Sequence, residues 1–460
     1  MKITKIVENL FKKYIPSPFT IAIILTLFTM LLAIGCTKPS EKNLIEYSMD
    51  ILGFWEQGIW NNNLLVFAYQ MMLILVLGHV LVLSRPMSKL ILRLTKYCTN
   101  TANSAMIVSI TTMVVAFFNW GLGLIFGALL ARKVAEDAQS RGFKLNYPII
   151  GAAGYVGLMV WHGGISGSAP IKINEKGHIK SIMNDVSSEE TVAKIPEIIN
   201  YGQTVFSWWN ILIFIAVLIT VSTTFYFMGK RSEATPINLT TYDMDSEEIE
   251  VTDKSERLDT SSILGYIIGS IILIAFFIQY FNDLTALKIT PNLINFFMFG
   301  LAIILHKNVK NFTNAVGQSI SDVSGILIQF PLYFGIMGIM KSTGMVALIS
   351  GFFVSISSAT TLPIFTFFSA GLVNIFVPSG GGQWVVQGPV VVESALQLGV
   401  PLPKAIMALA YGDQITNMLQ PFWALPLLGI TKLKAKEILP YTLIAMVVGS
   451  AVYLLGLLIF

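Results

Sequence analysis

The chain is short of charge. Only 12% of its 460 residues are Asp, Glu, Lys or Arg, while 54% are hydrophobic. A soluble domain carries about a quarter of its residues as charges. A soluble protein of this size needs far more polar surface, so the composition excludes a soluble enzyme, a nucleic-acid binder and a disordered scaffold. Cysteine is scarce too. Cys36 and Cys98 alone make neither a disulfide framework nor a metal knuckle. The four histidines, His79, His162, His178 and His306, stand too far apart for a metal-ligand spacing. The net charge of +4 calls for no polyanionic partner. There is no HExxH, no nucleophile elbow, no cofactor loop and no nucleotide-binding motif. An intramembrane enzyme is left as a remote alternative, resting on Asp413 and His162 as an acid–base pair.

What the chain has is long apolar runs. A spanning helix needs about 20 mostly apolar residues. Nine segments qualify or nearly do: 17–36, 64–83, 147–165, 207–228, 262–281, 291–306, 325–340, 402–424 and 438–460. Lys12 and Lys13 before the first run, and Cys36 after it, resemble a lipoprotein signal. Ala33 stands where such a signal carries Leu, and many spans follow, so 17–36 reads as a transmembrane helix.

Two further apolar regions, 102–131 and 357–397, are broken near their middles, at Asn119-Trp120-Gly121-Leu122-Gly123 and at Asn374-Ile375-Phe376-Val377-Pro378-Ser379-Gly380-Gly381-Gly382. Broken backbone at membrane depth is tolerated only where protein or water satisfies it. Both regions read as re-entrant helical hairpins. The arms before them, 85–101 and 341–356, are short and amphipathic. Clusters of Lys and Arg at the N-terminus, at 85–96, at 132–144, at 307–310 and at 432–436 fall on one side of this topology, which makes that side and the N-terminus cytoplasmic. Residues 229–260 carry nine acidic and four basic residues and read as a flexible cytoplasmic linker. They separate an N-terminal half, 1–228, from a C-terminal half, 261–460.

The halves are built alike. Asn119 is followed 43 residues later by His162, and Asn374 is followed 43 residues later by Asn417. Each downstream residue lies in an apolar run that carries helix breakers, at about 147–170 and 402–424. The expected fold is an all-α polytopic membrane protein with an inverted repeat, each half holding a hairpin and an interrupted transmembrane helix. Half-helix N-termini at midplane favour an anionic group and carbonyl ends a cation, the pattern of secondary transporters.

Candidate site residues follow from that logic. Asn119, Trp120 and Gly121 offer a side-chain amide and backbone donors at the first tip; the alternative is a packing turn. Ser379, Gly380, Gly381 and Gly382 read as a backbone nest for a carboxylate, with Gln383 beside it; the alternative is an outer loop. Asn374 either joins the site or bonds within its hairpin. His162, followed by Gly163, Ser166 and Ser168, sits at a break inside an apolar helix, where an ionisable group is costly. Asp413 is the clearest acid within a span. It either couples to a cation or proton, or makes a structural ion pair, to Arg132 for example. Thr416 and Asn417 mirror the His162 region and offer oxygens. Glu393 reaches water near the end of its helix. Asp413, His162 and Thr416 are the candidates for the coupling ion or proton, with sodium placed near Asn119 and Asp413. Trp120, Trp161, Phe376 and Trp384 are candidates for an apolar slot. One polar pole and an apolar slot suit a monocarboxylate.

The blocks FFNWGLGLIFGALLARKVA (117–135), GYVGLMVWHGGISGSAP (154–170), PSGGGQWVVQGPVVVESALQLGV (378–400) and AYGDQITNMLQPFWALPLLGI (410–430) resemble the bacterial short-chain fatty acid transporter family. More distantly, the architecture is similar to the ion transporter superfamily, whose hairpin tips carry Ser-Asn-Thr triplets where this chain has Asn-Trp-Gly and Pro-Ser-Gly-Gly-Gly. The resemblance implies an inner-membrane symporter for butyrate, acetoacetate and similar monocarboxylates, with sodium or a proton as coupling ion and a homodimer by analogy. A C4-dicarboxylate or an amino acid on the same scaffold is the alternative substrate.

Overall fold

Polar residues cut the apolar runs into helices, and most do so by capping. In the computed structural model, which describes residues 13, 16–84, 86, 93, 95–183, 192–193, 195–235, 237, 239, 256–285 and 290–460, the first helices are α1 (Pro18–Thr37), α2 (Leu44–Ile59) and α3 (Asn62–Leu83). Side chains of Ser17, Asn43 and Asn61 each accept a first-turn N–H, supplying one of the partners a helix start lacks. Next come α4 (Thr101–Phe118), α5 (Trp120–Ser140) and α6 (Tyr147–Tyr155), the last continued by a 3₁₀ turn, Val156–Met159. Two short helices, α7 (Ser168–Ile173) and α8 (His178–Met183), precede the long α9 (Trp208–Arg231).

The C-terminal half contains α10 (Ser262–Thr285), α11 (Pro291–His306), α12 (Val309–Ser319), α13 (Ser324–Ser342) and α14 (Met345–Ser355). It goes on with α15 (Leu362–Phe376), α16 (Gly380–Leu398) and α17 (Leu402–Thr416). A 3₁₀ turn, Asn417–Leu419, leads to α18 (Pro421–Thr431), and α19 (Ala435–Ile459) ends the chain given.

Seven of the described helices are long and apolar enough to cross a membrane, so this is a multi-pass membrane protein. Six of them match expected spans. The seventh, Thr101–Phe118, is the first arm of an expected hairpin. The other three expected segments are 147–165, 291–306 and 402–424. There the helices are short, Tyr147–Met159, Pro291–His306 and Leu402–Thr416, because 3₁₀ turns or polar caps end them. Helix α2 was not expected. Glu46, Asp50 and Glu56 keep it below a span's hydropathy, although Asn43 and Glu46 form a capping box that the sequence pattern N-x-x-E announces. The 85–94 arm and most of 229–255 lie largely outside the described residues.

Layering follows the lengths. The long α10 is only 17% buried over its apolar window. Ile263, Ile267, Ile271, Ile274 and Ile278 are exposed along it, a lipid-facing surface. The short α6 and α17 lie inside: every residue from Tyr147 to Tyr155 except Pro148 is buried, and Leu402–Ile415 is nearly so.

Candidate functional site

Asn119 is the whole connection between α4 and α5. It is extended (φ −152°, ψ 124°) and its Oδ1 accepts the N–H of Leu122 at 2.9 Å. The chain folds straight back on itself. A β-carbon at Gly123 would overlap Ala116, and one at Gly127 would overlap the Gly154 carbonyl, so glycine is what lets α5 lie against α4 and α6. The second hairpin turns through Val377, Pro378 and Ser379. Its arms are joined by amides. Gln383 Nε2 donates to the Ala370 carbonyl and to Gln387 Oε1, both at 2.9 Å, and Gln387 Nε2 donates to Ser369 Oγ at 2.8 Å. Gln383 is thereby committed to its hairpin. Gly380–Gly382 form the first turn of α16 and not a loop, with Ser379 Oγ capping the Gly382 N–H at 3.2 Å. First-turn N–H groups point out of the helix start, which suits an anion.

Both tips meet the stretch 160–167 that follows α6. At the first tip, the Trp120 N–H donates to Ser166 Oγ at 2.9 Å and the Ile165 N–H donates to the Phe117 carbonyl at 2.8 Å. At the second, a β-carbon on Gly380 would lie 2.7 Å from Trp161 Cη2 and 2.8 Å from His162 Cε1. One on Gly381 would lie 3.9 Å from Ser168 Oγ, ordinary contact.

His162 and Asp413 form the centre. Both are fully buried. His162 Nε2 accepts the Ala169 N–H at 3.1 Å, so a neutral ring carries its proton on Nδ1. That Nδ1 lies 3.0 Å from Asp413 Oδ1, yet off hydrogen-bond alignment. Neither carboxylate oxygen of Asp413 has a hydrogen-bond partner, nor do His162 Nδ1, Gln414 Nε2 and Trp161 Nε1. The structural alternative for Asp413, an ion pair with Arg132, is not among the ion pairs of the described residues. Arg132 Nε donates to Glu136 at 2.8 Å and its Nη1 donates to the Ile430 carbonyl at 2.9 Å. A guanidinium on α5 finds its acceptors on its own helix and on α18, away from Asp413.

Asn374, Thr416 and Asn417 come together elsewhere, at the turn after α17. Asn374 Nδ2 donates to Thr416 Oγ1 at 2.9 Å and to Asn417 Oδ1 at 2.8 Å. Gln420 Nε2 donates to the Asn374 carbonyl. Glu393 is half-buried near the C-terminal end of α16, within reach of Gln397. Of the slot candidates, Trp120 and Trp161 meet, with ring centroids 6.0 Å apart. Phe376 instead stacks on Phe28 of α1, and Trp384 Nε1 donates to His178 Nε2 at 3.1 Å. Those two take partners outside the group. Within this polar centre, the described residues hold no group of three or more His, Cys, Asp or Glu.

Sequence reasoning missed the residues that tie each half to the other's break. Gln414 Oε1 accepts the N–H groups of His162 and Gly163, at 2.7 and 3.0 Å. Tyr411 donates to Asn210 at 2.5 Å, and Asn210 donates to the Gly163 carbonyl at 3.0 Å. In return Tyr155 donates to the carbonyls of Asn417 and Gln420, at 2.8 and 3.0 Å. The available signal was polar residues inside apolar runs.

The model of the short chain fatty acid transporter family matches residues 1–460. The chain belongs to that family. A relative from Escherichia coli K12, provisionally named a short-chain fatty acid transporter, is 34% identical over 464 residues, covering 100% of this chain and 99% of the relative. One from Haemophilus influenzae Rd, with the same provisional name, is 31% identical over 462 residues, with 99% of each chain covered. Two solved structures align along nearly their whole length with low superposition. The antimetabolite efflux pump MtrF of Neisseria gonorrhoeae has a TM-score of 0.38 at 16% identity, covering 98% of this chain and 96% of MtrF. The YdaH transporter of Alcanivorax borkumensis has 0.41 at 14%, covering 96% and 98%. The family is one of transporters, which sets aside the intramembrane enzyme.

Proposed function

We propose that the chain is a secondary active transporter that carries short-chain monocarboxylates, butyrate and acetoacetate among them, across the bacterial inner membrane by symport with a proton or a sodium ion. The observation that carries this reading is the junction itself. Two hairpin tips abut one broken helix, beside a buried carboxylate with no hydrogen-bond partner. Its near neighbour, His162 Nδ1 at 3.0 Å, is off hydrogen-bond alignment, and a buried carboxylate so incompletely paired is costly, so Asp413 favours the arrival of a cation or proton. A substrate carboxylate entering beside an ionised Asp413 meets like-charge repulsion. Neutralising Asp413 removes it, and co-binding becomes the only inexpensive state.

The helix order supports an inverted repeat. Hairpin α4–α5 and broken helix α6 in the first half correspond to hairpin α15–α16 and broken helix α17 in the second. In this reading both hairpins are re-entrant, the N-terminus is cytoplasmic, 229–260 is the linker between the halves, and one set of helices moves against the other to alternate access. A homodimer is an inference from architecture alone.

The test is labelled butyrate uptake into proteoliposomes, with proton and sodium gradients imposed separately. Uptake driven by one gradient and competed by acetoacetate supports the reading and names the ion. Uptake of labelled succinate that butyrate does not compete replaces it with dicarboxylate transport. No uptake by folded, reconstituted protein under either gradient ends it.

A further inference from the structure

Trp120 is the hub of a largely buried aromatic group that runs from the polar junction to an end made mostly of aromatic rings. On one side its ring lies 6.0 Å from Trp161, which stacks on His162 at 4.5 Å and touches Gly380. On the other it lies 5.2 Å from Trp423 of α18 and 6.2 Å from Phe67 of α3. Phe67 and Trp423 also meet edge to face at 6.1 Å, and behind them Phe330 stacks on Phe422 at 3.9 Å. Trp161, Trp423 and Phe330 are buried, whereas Trp120 and Phe67 are half-buried, so the group keeps an open face at its middle and far end. The near end carries an indole N–H with no acceptor in the protein, that of Trp161 Nε1.

A buried donor left without a partner costs about as much as a lost hydrogen bond. A line of rings with a buried, unpartnered donor at its near end and mostly aromatic carbon beyond matches a molecule with one anionic head and a short alkyl tail.

We propose that Trp161 donates its indole N–H to the substrate carboxylate, that Trp120 carries the alkyl chain on its open face, and that Trp423 and Phe67 set the longest chain accepted. This inference rests on the monocarboxylate reading above and adds its specificity residues, two of which, Trp423 and Phe67, are not among the site candidates read from the sequence. A larger space at Trp423 or Phe67 therefore lengthens the preferred acid. Loss of the Trp161 N–H weakens every acid alike, since all share the head group.

The experiment is a competition series of straight-chain acids of increasing length against labelled butyrate uptake in proteoliposomes. It compares the wild type with Trp423→Ala, Phe67→Ala, Trp161→Phe and, at the remote and exposed Trp208, Trp208→Phe. Trp423→Ala and Phe67→Ala are expected to shift the best competitor to a longer acid. Trp161→Phe is expected to raise every inhibition constant about tenfold with the order of acids unchanged, the size of one hydrogen bond to a charged group. Trp208→Phe leaves the series as in the wild type. If Trp423→Ala does not accumulate folded, Trp423→Leu gives the same reading with less lost volume. An unchanged order of acids in both the Trp423 and Phe67 variants overturns the chain-length assignment while butyrate transport stands. Unchanged constants in Trp161→Phe overturn the head-group assignment. A wild type that takes up no labelled butyrate overturns the transport reading and this inference together.

Discussion

The two breaks, 160–167 after α6 and 417–420 after α17, lie the same distance beyond their hairpin asparagines and are finished differently. At the second, every side chain is committed. Asn417 accepts from Asn374 and donates to the Leu158 carbonyl at 3.3 Å, Gln420 donates into the Asn374 turn, and Thr442 donates to the Met418 carbonyl at 2.6 Å. At the first, the backbone is held by Gln414, Asn210 and Phe117, but the side chains at its centre are left open. Trp161 Nε1, His162 Nδ1 and both oxygens of Asp413 have no hydrogen-bond partner. A closed polar network fixes a shape. An open one is costly unless something else completes it. On the function proposed above, the second break is a clasp and the first is where a ligand and a coupling ion would be held.

Substitutions can break that division. The largest effect is expected from Asp413→Asn, which removes the charge and keeps the shape. Gradient-driven accumulation of butyrate should be lost while butyrate exchange across the membrane persists, as read by uptake and counterflow side by side. Next is a pair one residue apart. Gly380→Ala drives a β-carbon against Trp161 and His162, and overpacking costs about 1–3 kcal/mol. Its uptake should fall by about 10- to 100-fold. Gly381→Ala meets only Ser168, at contact distance, and should stay close to wild type. Equal losses in both would move the second tip away from the junction.

At the clasp, Asn374→Ala should act on stability. It takes the side-chain donor from Thr416 Oγ1 and Asn417 Oδ1, at about 1–3 kcal/mol for a group left buried without a bond. The expected outcome is a lower unfolding temperature in detergent with the affinity for butyrate retained. The smallest effect lies outside the spans. Burial holds the His178 imidazole below its ordinary value of 6.5, where its Nε2 accepts from Trp384. The folded state then binds that proton less readily than the unfolded one. Its contribution is intact above pH 6.5 and is lost as pH falls below that value. Thermal unfolding followed down that range should show a shallow decline that His178→Gln, titrated in parallel, removes.

Much of the scaffold was legible in the sequence. Long apolar runs, capped by Ser17, Asn61, Asn100 and Ser207, give helices long enough to cross a bilayer, because the backbone in lipid must satisfy itself within the segment. The interruptions at Asn119 and at Ser379-Gly380-Gly381-Gly382 marked the turns, since an extended asparagine or a run of glycines ends one helix and starts the next. Asp413 and His162 stood out because ionisable residues are rare in such runs.

Partnership was decided only by the tertiary structure. His162 and Asp413 are 251 positions apart and are neighbours because the stretch that follows α6 packs against the end of α17. Trp161 joins Trp120 and Trp423, while Phe376 and Trp384 turn to Phe28 and His178. Arg132 goes to Glu136, and Asn374 goes to Asn417. Periodicity and composition record what each residue prefers to avoid, which is water or hydrocarbon. They do not record which buried donor meets which acceptor, because that is set by how helices distant in the chain pack against one another.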